Sequence, residues 1–262
     1  MFNLVKQKIL KTKVQENPFP FLFIKDLISK KDLNNLNKVL PNYDSIKKDE
    51  DALYQSSSRT KISVLPKSKT YIKLNKNIEF KKINSLFKKL TPVIVKKFEK
   101  HINSYVKKKN SFNLLKYHSA YAVMKNGYIK SPHIDRRDHL IHMIFYPSSD
   151  PLKGGEICLH EIKDEKKIFD VFPSKNSLKI KKKFKVYNNN CIIILNVPWA
   201  YHSVSIYKSL VNRKYIYMVY DFPVFKSGSI PKNRKKGFNE NNFWKNNVKV
   251  KSLQRKKTFF TE

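Results

Sequence analysis

From about Asn113 onward, apolar residues recur at every second position. Leu115, Tyr117, Ser119, Tyr121 and Val123 alternate with polar or small residues. Period-two alternation places successive side chains on opposite faces of a strand. The same pattern or short apolar runs mark His139 to Tyr146, Glu156 to Ile162, Lys167 to Phe172, Leu178 to Tyr187, Cys191 to Asn196, His202 to Tyr207 and Lys214 to Tyr220. Turn signals separate them: Lys125-Asn126-Gly127, Pro147 to Pro151, Gly154-Gly155 and Asn188-Asn189-Asn190. Many short strands broken by turns predict a sandwich or barrel.

The first third reads as helical. Phe19 to Ile24 is a short apolar entry. Ser29-Lys30-Lys31-Asp32 resembles a capping box with Asp in place of Glu. Leu33, Leu36, Val39 and Leu40 follow at helical spacing, and Pro41 ends the run. Farther on, Ile83, Leu86, Phe87, Leu90, Ile94, Phe98 and Ile102 share one helical face. Thr91-Pro92 within it either starts a new helix or kinks a long one. These apolar faces need a surface to cover, and the following sheet supplies one. The chain thus divides into a helical support region (1–112), a β-rich domain (113–225) and a tail (226–262).

Composition changes this picture little. The 262 residues carry a net charge of +35, which favours anionic partners in general. Most of that charge is Lys, spread along the whole chain rather than focused in one patch. The tail holds 11 Lys/Arg against 2 Asp/Glu, interleaved with Phe238, Phe243, Trp244, Phe259 and Phe260. Such a mixture suits either polyanion binding by charge plus stacking or a packing strap over the barrel. Cys158 and Cys191 give neither a disulfide framework nor metal-ligand spacing, and both fall in strands, where a buried, reduced thiol is inert. Met1 to Lys13 lacks a signal peptide's apolar region, and no apolar run is long enough to span a bilayer. A cytoplasmic location is the expectation.

The chemistry concentrates in Pro132-His133-Ile134-Asp135, read with His202 and Arg213. One intervening residue on an extended segment puts His133 and Asp135 on one face. Two imidazoles and a carboxylate, with other positions open, make the donor set of a non-haem Fe(II) site. A His-x-Asp pair is a weak signal by itself in a chain with seven histidines. Its setting adds weight, since Gly154-Gly155-Glu156 opens one strand, His202 follows the apolar strand from Cys191, and Arg213 heads the last one.

Here the stretch from about Leu115 to Phe222 resembles the double-stranded β-helix (jelly roll) of 2-oxoglutarate- and Fe(II)-dependent dioxygenases, in particular the prolyl 4-hydroxylase-like subgroup. The resemblance implies a mainly β fold with N-terminal helices packed on the outer face of the core. It implies His133, Asp135 and His202 as iron ligands, Arg213 as the partner of the distal 2-oxoglutarate carboxylate, and Tyr146 with a hydroxyl near that carboxylate. Tyr121 and Tyr128 are further candidates for the pocket lining. The implied reactants are Fe(II), 2-oxoglutarate and O2, with ascorbate as an optional reductant. The implied reaction hydroxylates an unidentified substrate while 2-oxoglutarate is decarboxylated to succinate.

One departure concerns the carboxylate anchor, which is often Lys in prolyl hydroxylases. Here Arg213 and Lys214 are adjacent and point to opposite faces. Arg213 is chosen because Tyr215, Tyr217 and Val219 then share its face. The competing register turns Lys214 inward with Ile216, Met218 and Tyr220. The remaining histidines read as ordinary: His101, His118, His139 and His160 as half-exposed residues. His142, which shares a face with Ile144 and Tyr146, either lines the pocket or packs. Asp138 is wrongly spaced from His133 to share its strand face. Trp199 and Tyr201 read as packing at the barrel mouth. The rival to an enzyme is a non-catalytic jelly roll that binds nucleic acid or an acidic glycan through its basic surface.

Overall fold

A computed structural model describes residues 1–47, 53–54, 59–105, 115–136, 139–148, 153–163, 173, 175–187 and 189–221. The expected strand over 167–172, Asp138 and the basic tail lie outside these residues.

Eight strands form the core: β4 (Lys116–Met124), β5 (Lys130–His133), β6 (His139–Tyr146), β7 (Ile157–Ile162), β8 (Leu178–Phe184), β9 (Asn190–Leu195), β10 (His202–Val204) and β11 (Arg213–Asp221). They fall into two antiparallel sheets. One contains the order β9-β6-β11-β4, the other β5-β10-β7-β8. The chain therefore crosses from sheet to sheet as it advances, which is the jelly-roll topology. Closing two sheets face to face buries one side of each strand, and in the larger sheet the other side is buried as well, so that β6 and β9 are covered on both faces.

The N-terminal third is not purely helical. β1 (Phe21–Ile24), β2 (Leu53–Tyr54) and β3 (Lys61–Val64) extend the larger sheet to seven strands in the order β1-β9-β6-β11-β4-β3-β2. β1 pairs with β9, Phe21 opposite Ile194, and β3 pairs with β4, Lys61 opposite Met124.

Register decides which side chains face the interior. Across β11 and β4 the partners are Arg213 and Met124, Tyr215 and Ala122, Tyr217 and Ala120. Across β11 and β6, Tyr217 lies opposite Ile144 and Val219 opposite His142. Partners in a ladder share a face, so Arg213, Tyr215, Tyr217, His142, Ile144 and Lys61 all point toward the smaller sheet. Phe184 of that sheet closes the gap, stacking on Phe23 at 4.4 Å and meeting Phe21 edge-on at 5.6 Å.

The outer face of the larger sheet carries Tyr121, Ile141, Met143, Phe145, Ile193, Ile216, Met218 and Tyr220, all buried. Helices cover it: α1 (Phe2–Lys11), α2 (Lys30–Val39), α3 (Tyr43–Lys47), α4 (Lys69–Lys76), α5 (Ile78–Lys97) and α6 (Glu99–Tyr105). Ser29 caps α2, accepting from the Asp32 N–H at 3.1 Å. α5 runs unbroken through Pro92 and buries Phe80, Ile83, Leu86, Phe87, Leu90 and Ile94. Fully burying a side chain of this size contributes roughly 1.5–3 kcal/mol. Polar contacts fix the helices in place. Tyr220 Oη donates to Phe87 O at 2.7 Å, and Ser119, Asn84 and Tyr71 form a part-buried hydrogen-bonded group. Among the described residues, no helix is long and apolar enough to cross a membrane.

Gly154 and Gly155 have φ of +70° and +68°, a region favouring glycine. A Cβ on Gly154 would lie 2.1 Å from Ile206 O, and one on Gly155 would lie 3.2 Å from Arg213 Nη1. The Gly-Gly turn thus lets the backbone of one sheet approach the guanidinium of the other.

Candidate active site

His133 ends β5 and His202 begins β10, and the two are direct partners in the small sheet. Their ring centroids are 4.4 Å apart. Each ring is oriented by a backbone carbonyl: His133 Nδ1 lies 2.9 Å from Ser131 O, and His202 Nδ1 lies 3.0 Å from Ala200 O. A carbonyl only accepts, so Nδ1 carries the proton in both rings. In the neutral tautomer this leaves the lone pair on Nε2, and both Nε2 atoms turn toward the same oxygen. Asp135 Oδ1 is 3.6 Å from His133 Nε2 and 3.8 Å from His202 Nε2. Carbonyl contacts of this kind are the usual means of fixing the tautomer and aim of a metal-binding imidazole.

The second oxygen of Asp135 is held from the larger sheet. Tyr217 Oη donates to Oδ2 at 2.8 Å, and His142 Nδ1 lies 3.2 Å from the same atom. Burial would raise the Asp135 carboxyl, but the surrounding His142, His202 and His133 outweigh it and hold it well below the usual carboxylate range. Burial and the adjoining carboxylate push the Tyr217 phenol well above its ordinary value, so it stays a donor. Burial lowers the imidazoles of His202 to about 3 and His142 to about 4, leaving both neutral near neutral pH. A metal requires ligating histidines in that state.

The ligand atoms of His133, Asp135 and His202 all lie within 4.8 Å of one another. Two imidazoles and one carboxylate, from the end of β5, the residue two past it and the start of β10, converge on one point and fit a first-row divalent ion such as Fe(II).

Arg213 lies on the same interior face and is only 1 % exposed. Its guanidinium carbon is 5.0 Å from the Tyr146 ring centroid. Its Nε and Nη1 have no hydrogen-bond partner among the described residues. A buried cation with donors unmet is costly unless an anion completes it. The planar fork suits a carboxylate. Tyr146 and Tyr215, with ring centroids 6.1 Å apart, wall this end of the interior. Burial lifts the Tyr146 phenol to about 12 against the opposing pull of Arg213. Tyr128 belongs to the same group: burial raises it to about 12, with Lys61, Tyr215, Arg213 and Tyr146 close enough to act on it.

Lys214 takes the other face. Its Nζ donates to Leu40 O at 2.8 Å, under the helical layer. Tyr121 also departs from the expected position. Its ladder partners are Ile216 and Val64, both on the outer face, and its hydroxyl donates to Pro41 O at 2.6 Å. Tyr121 therefore supports the helices and does not line the pocket.

Three residues join the site that the sequence singled out weakly or not at all. His142, left open between pocket and packing, is fully buried beside Asp135. Tyr217 was signalled only by sharing the parity of Arg213. Lys61 lies in the same cross-strand row as Arg213, with Met124 between them, and its Nζ is 5.5 Å from the Tyr215 ring centroid. Burial depresses its ammonium. Trp199 packs with Tyr201, Ile134, Ile162 and Leu178. His160 Nε2 meets Ser203 Oγ at 2.8 Å, and His101 Nε2 lies 3.6 Å from Glu16. Cys158 and Cys191 are buried free thiols, and burial raises both.

No known family model matches the sequence, and no curated protein matches it. Solved structures match its shape. The non-haem α-ketoglutarate-dependent epimerase SnoN of nogalamycin biosynthesis aligns with a TM-score of 0.50 and 9% identity, covering 84% of this chain and 83% of its own. A prolyl-4-hydroxylase from Pseudomonas putida aligns at 0.49 and 9% identity, covering 85% and 99%. A prolyl hydroxylase from Trichoplax adhaerens, in complex with a hypoxia inducible factor peptide fragment, aligns at 0.48 and 11% identity, covering 85% and 89%. The structural neighbours are thus prolyl hydroxylases and other 2-oxoglutarate/Fe(II) oxygenases, at low sequence identity. The likeness to SnoN bears on the fold, a jelly-roll core with flanking helices.

Proposed function

We propose that this protein is an Fe(II)- and 2-oxoglutarate-dependent oxygenase. The observation that carries the reading is the convergence of His133 Nε2, His202 Nε2 and Asp135 Oδ1 on one point, each held from behind by another group. Arg213, buried with donors unmet on the same interior face, is the second support. Function lives in such a site and not in the fold, so the residues must bear the argument.

Each residue has a definite task. His133 and His202 aim Nε2 at the site because Ser131 O and Ala200 O engage their Nδ1 atoms. Asp135 would offer Oδ1, while Tyr217 donates to Oδ2 and fixes the carboxylate. Arg213 would receive the far carboxylate of 2-oxoglutarate, with Tyr146 alongside. Tyr146, Tyr215 and Tyr128 exclude water from that charge pair, which strengthens it. Bound Fe(II) and 2-oxoglutarate would supply the oxidising chemistry, coupling decarboxylation to succinate with hydroxylation of a substrate C–H. The substrate is not specified by these residues.

The test is oxygen-dependent succinate formation by purified protein supplied with Fe(II) and 2-oxoglutarate. His133→Ala and His202→Ala should each abolish it while the fold is retained by circular dichroism. Succinate formation that survives both substitutions would refute the assignment.

A further inference from the structure

A second group of ligating side chains stands apart from the proposed iron site. It comprises His118 on β4, His139 at the start of β6 and Asp221 at the end of β11. β11 lies between β4 and β6, so three neighbouring strands each contribute one group at the same end of the larger sheet. His139 is the ladder partner of Asp221 across an irregularity between Tyr220 and Asp221. His118 lies opposite Val219, one position back on the same interior face. The irregularity brings all three heads together.

The geometry is that of a fork. His139 Nδ1 is 2.5 Å from Asp221 Oδ1, and His118 Nδ1 is 3.1 Å from Asp221 Oδ2. The ring centroids are 5.7 Å apart, and the three donor atoms lie within 4.8 Å of one another. His139 is buried, whereas the His118 side chain is 39% exposed, so the group opens to solvent on one side. The backbone of His139 is fixed by Asn196, whose Nδ2 donates to His139 O at 3.0 Å and Arg136 O at 2.7 Å.

We propose that His118, His139 and Asp221 form a second divalent-metal site, suited to Zn(II) or a similar first-row ion. Two imidazole nitrogens and one carboxylate are the donor set such ions take, with water completing the shell on the open side. Without an ion the carboxylate of Asp221 accepts from both rings, and a bound ion would take the place of those two protons between the same atoms. A bound ion would tie β4 and β6 to β11 at the sheet's end. It would also sit next to the proposed iron site, because the His139 ring is 6.4 Å from that of Tyr217, which holds Asp135. The alternative is a metal-free triad in which the carboxylate accepts from both rings.

Cobalt(II) titration of chelator-stripped full-length protein separates the two. Bound cobalt is counted by mass spectrometry and followed by its visible ligand-field absorption. The wild type should saturate at two equivalents per chain, and His118→Ala at one. Asp221→Asn should match His118→Ala; the half-exposed position of His118 makes its variant decisive should the Asp221 variant not fold. The double variant Asp135→Ala/His202→Ala should retain one equivalent, and adding His118→Ala should remove it. This last comparison keeps the second site distinguishable from the first, whichever of them fails. An unchanged cobalt count in His118→Ala would overturn the proposal and leave the metal-free triad.

Discussion

Tyr217 Oη donates to Asp135 Oδ2 at 2.8 Å, joining the last strand of the larger sheet to the carboxylate that ends the first segment of the smaller one. The contact spans the interior of the barrel and leaves Oδ1 facing both histidines. Tyr217→Phe keeps the ring and removes this one bond. A hydrogen bond to a charged group contributes about 1.5–3 kcal/mol, and loss of such outer contacts typically costs about 10–100-fold in metal affinity. Calorimetric titration with Mn(II) should show a loss in that range, with unfolding little changed. Unaltered affinity would mean that the phenol does not position Asp135.

Arg213 and Lys214 are neighbours that point to opposite faces of β11. Arg213→Ala should weaken 2-oxoglutarate binding to the metal-loaded protein by about 10-fold or more, the scale of a charge-assisted contact. Lys214→Ala should leave it unchanged, since that side chain reaches Leu40 O beneath the helices. A reversed order of effects would contradict the register of β11.

Tyr121→Phe tests the opposite face. Its hydroxyl bonds to Pro41 O, so removal should cost about 1 kcal/mol of stability in urea unfolding. The 2-oxoglutarate requirement should stay at the wild-type level.

The Gly-Gly turn should tolerate no side chain. Gly155→Ala combines positive φ with crowding of Arg213, and Gly154→Ala drives a Cβ into Ile206 O. Strained backbone of this kind costs of order 1–3 kcal/mol. Thermal melts should rank Gly154→Ala as the less stable of the two, and Gly155→Ala should also impair 2-oxoglutarate binding.

Acid should destabilise the metal-free protein early. His142, His160 and His202 are lowered by burial to about 4, 4 and 3, below the value near 6.5 of an unfolded chain. Between those limits the unfolded state binds more protons, so stability is intact above about pH 6.5 and is lost as pH falls toward the folded values. Urea midpoints should begin to drop below about pH 6.5, before ordinary carboxylates titrate. His160→Gln should flatten part of that slope. Midpoints constant down to about pH 5 would contradict it.

The barrel strands were legible as short alternating or apolar runs separated by turns, even though those of the larger sheet, β6 and β9 among them, are buried on both faces. β1 and β3 escaped notice for physical reasons. Phe21-Leu22-Phe23-Ile24 is covered on both sides and shows no alternation, and Lys61-Ile62-Ser63-Val64 is too short to define a period. The three candidate ligands and Arg213 could be read from local spacing and from parity along single strands. Tyr217 could not be paired with Asp135 in advance, because 82 residues separate them and the contact depends on how two sheets face one another. Tyr121 went to the wrong face for a related reason. Its parity within β4 was clear, but which parity faces inward depends on the pairing with Ile216. His118 and His139 looked ordinary one at a time; their common partner Asp221 appears only when β4, β6 and β11 lie side by side.

The two short strands from the first third have a bearing on protein engineering. β1 seals the flank of β9, and β3 seals the flank of β4. A fragment beginning at residue 113 would keep every proposed iron ligand yet expose two raw backbone ladders, along with the greasy outer surface from which the helices had been stripped. Such borders invite sheet-to-sheet sticking between molecules. Expression trials should therefore carry the leading segment intact, because here it serves as hem and lining for the jelly roll it precedes.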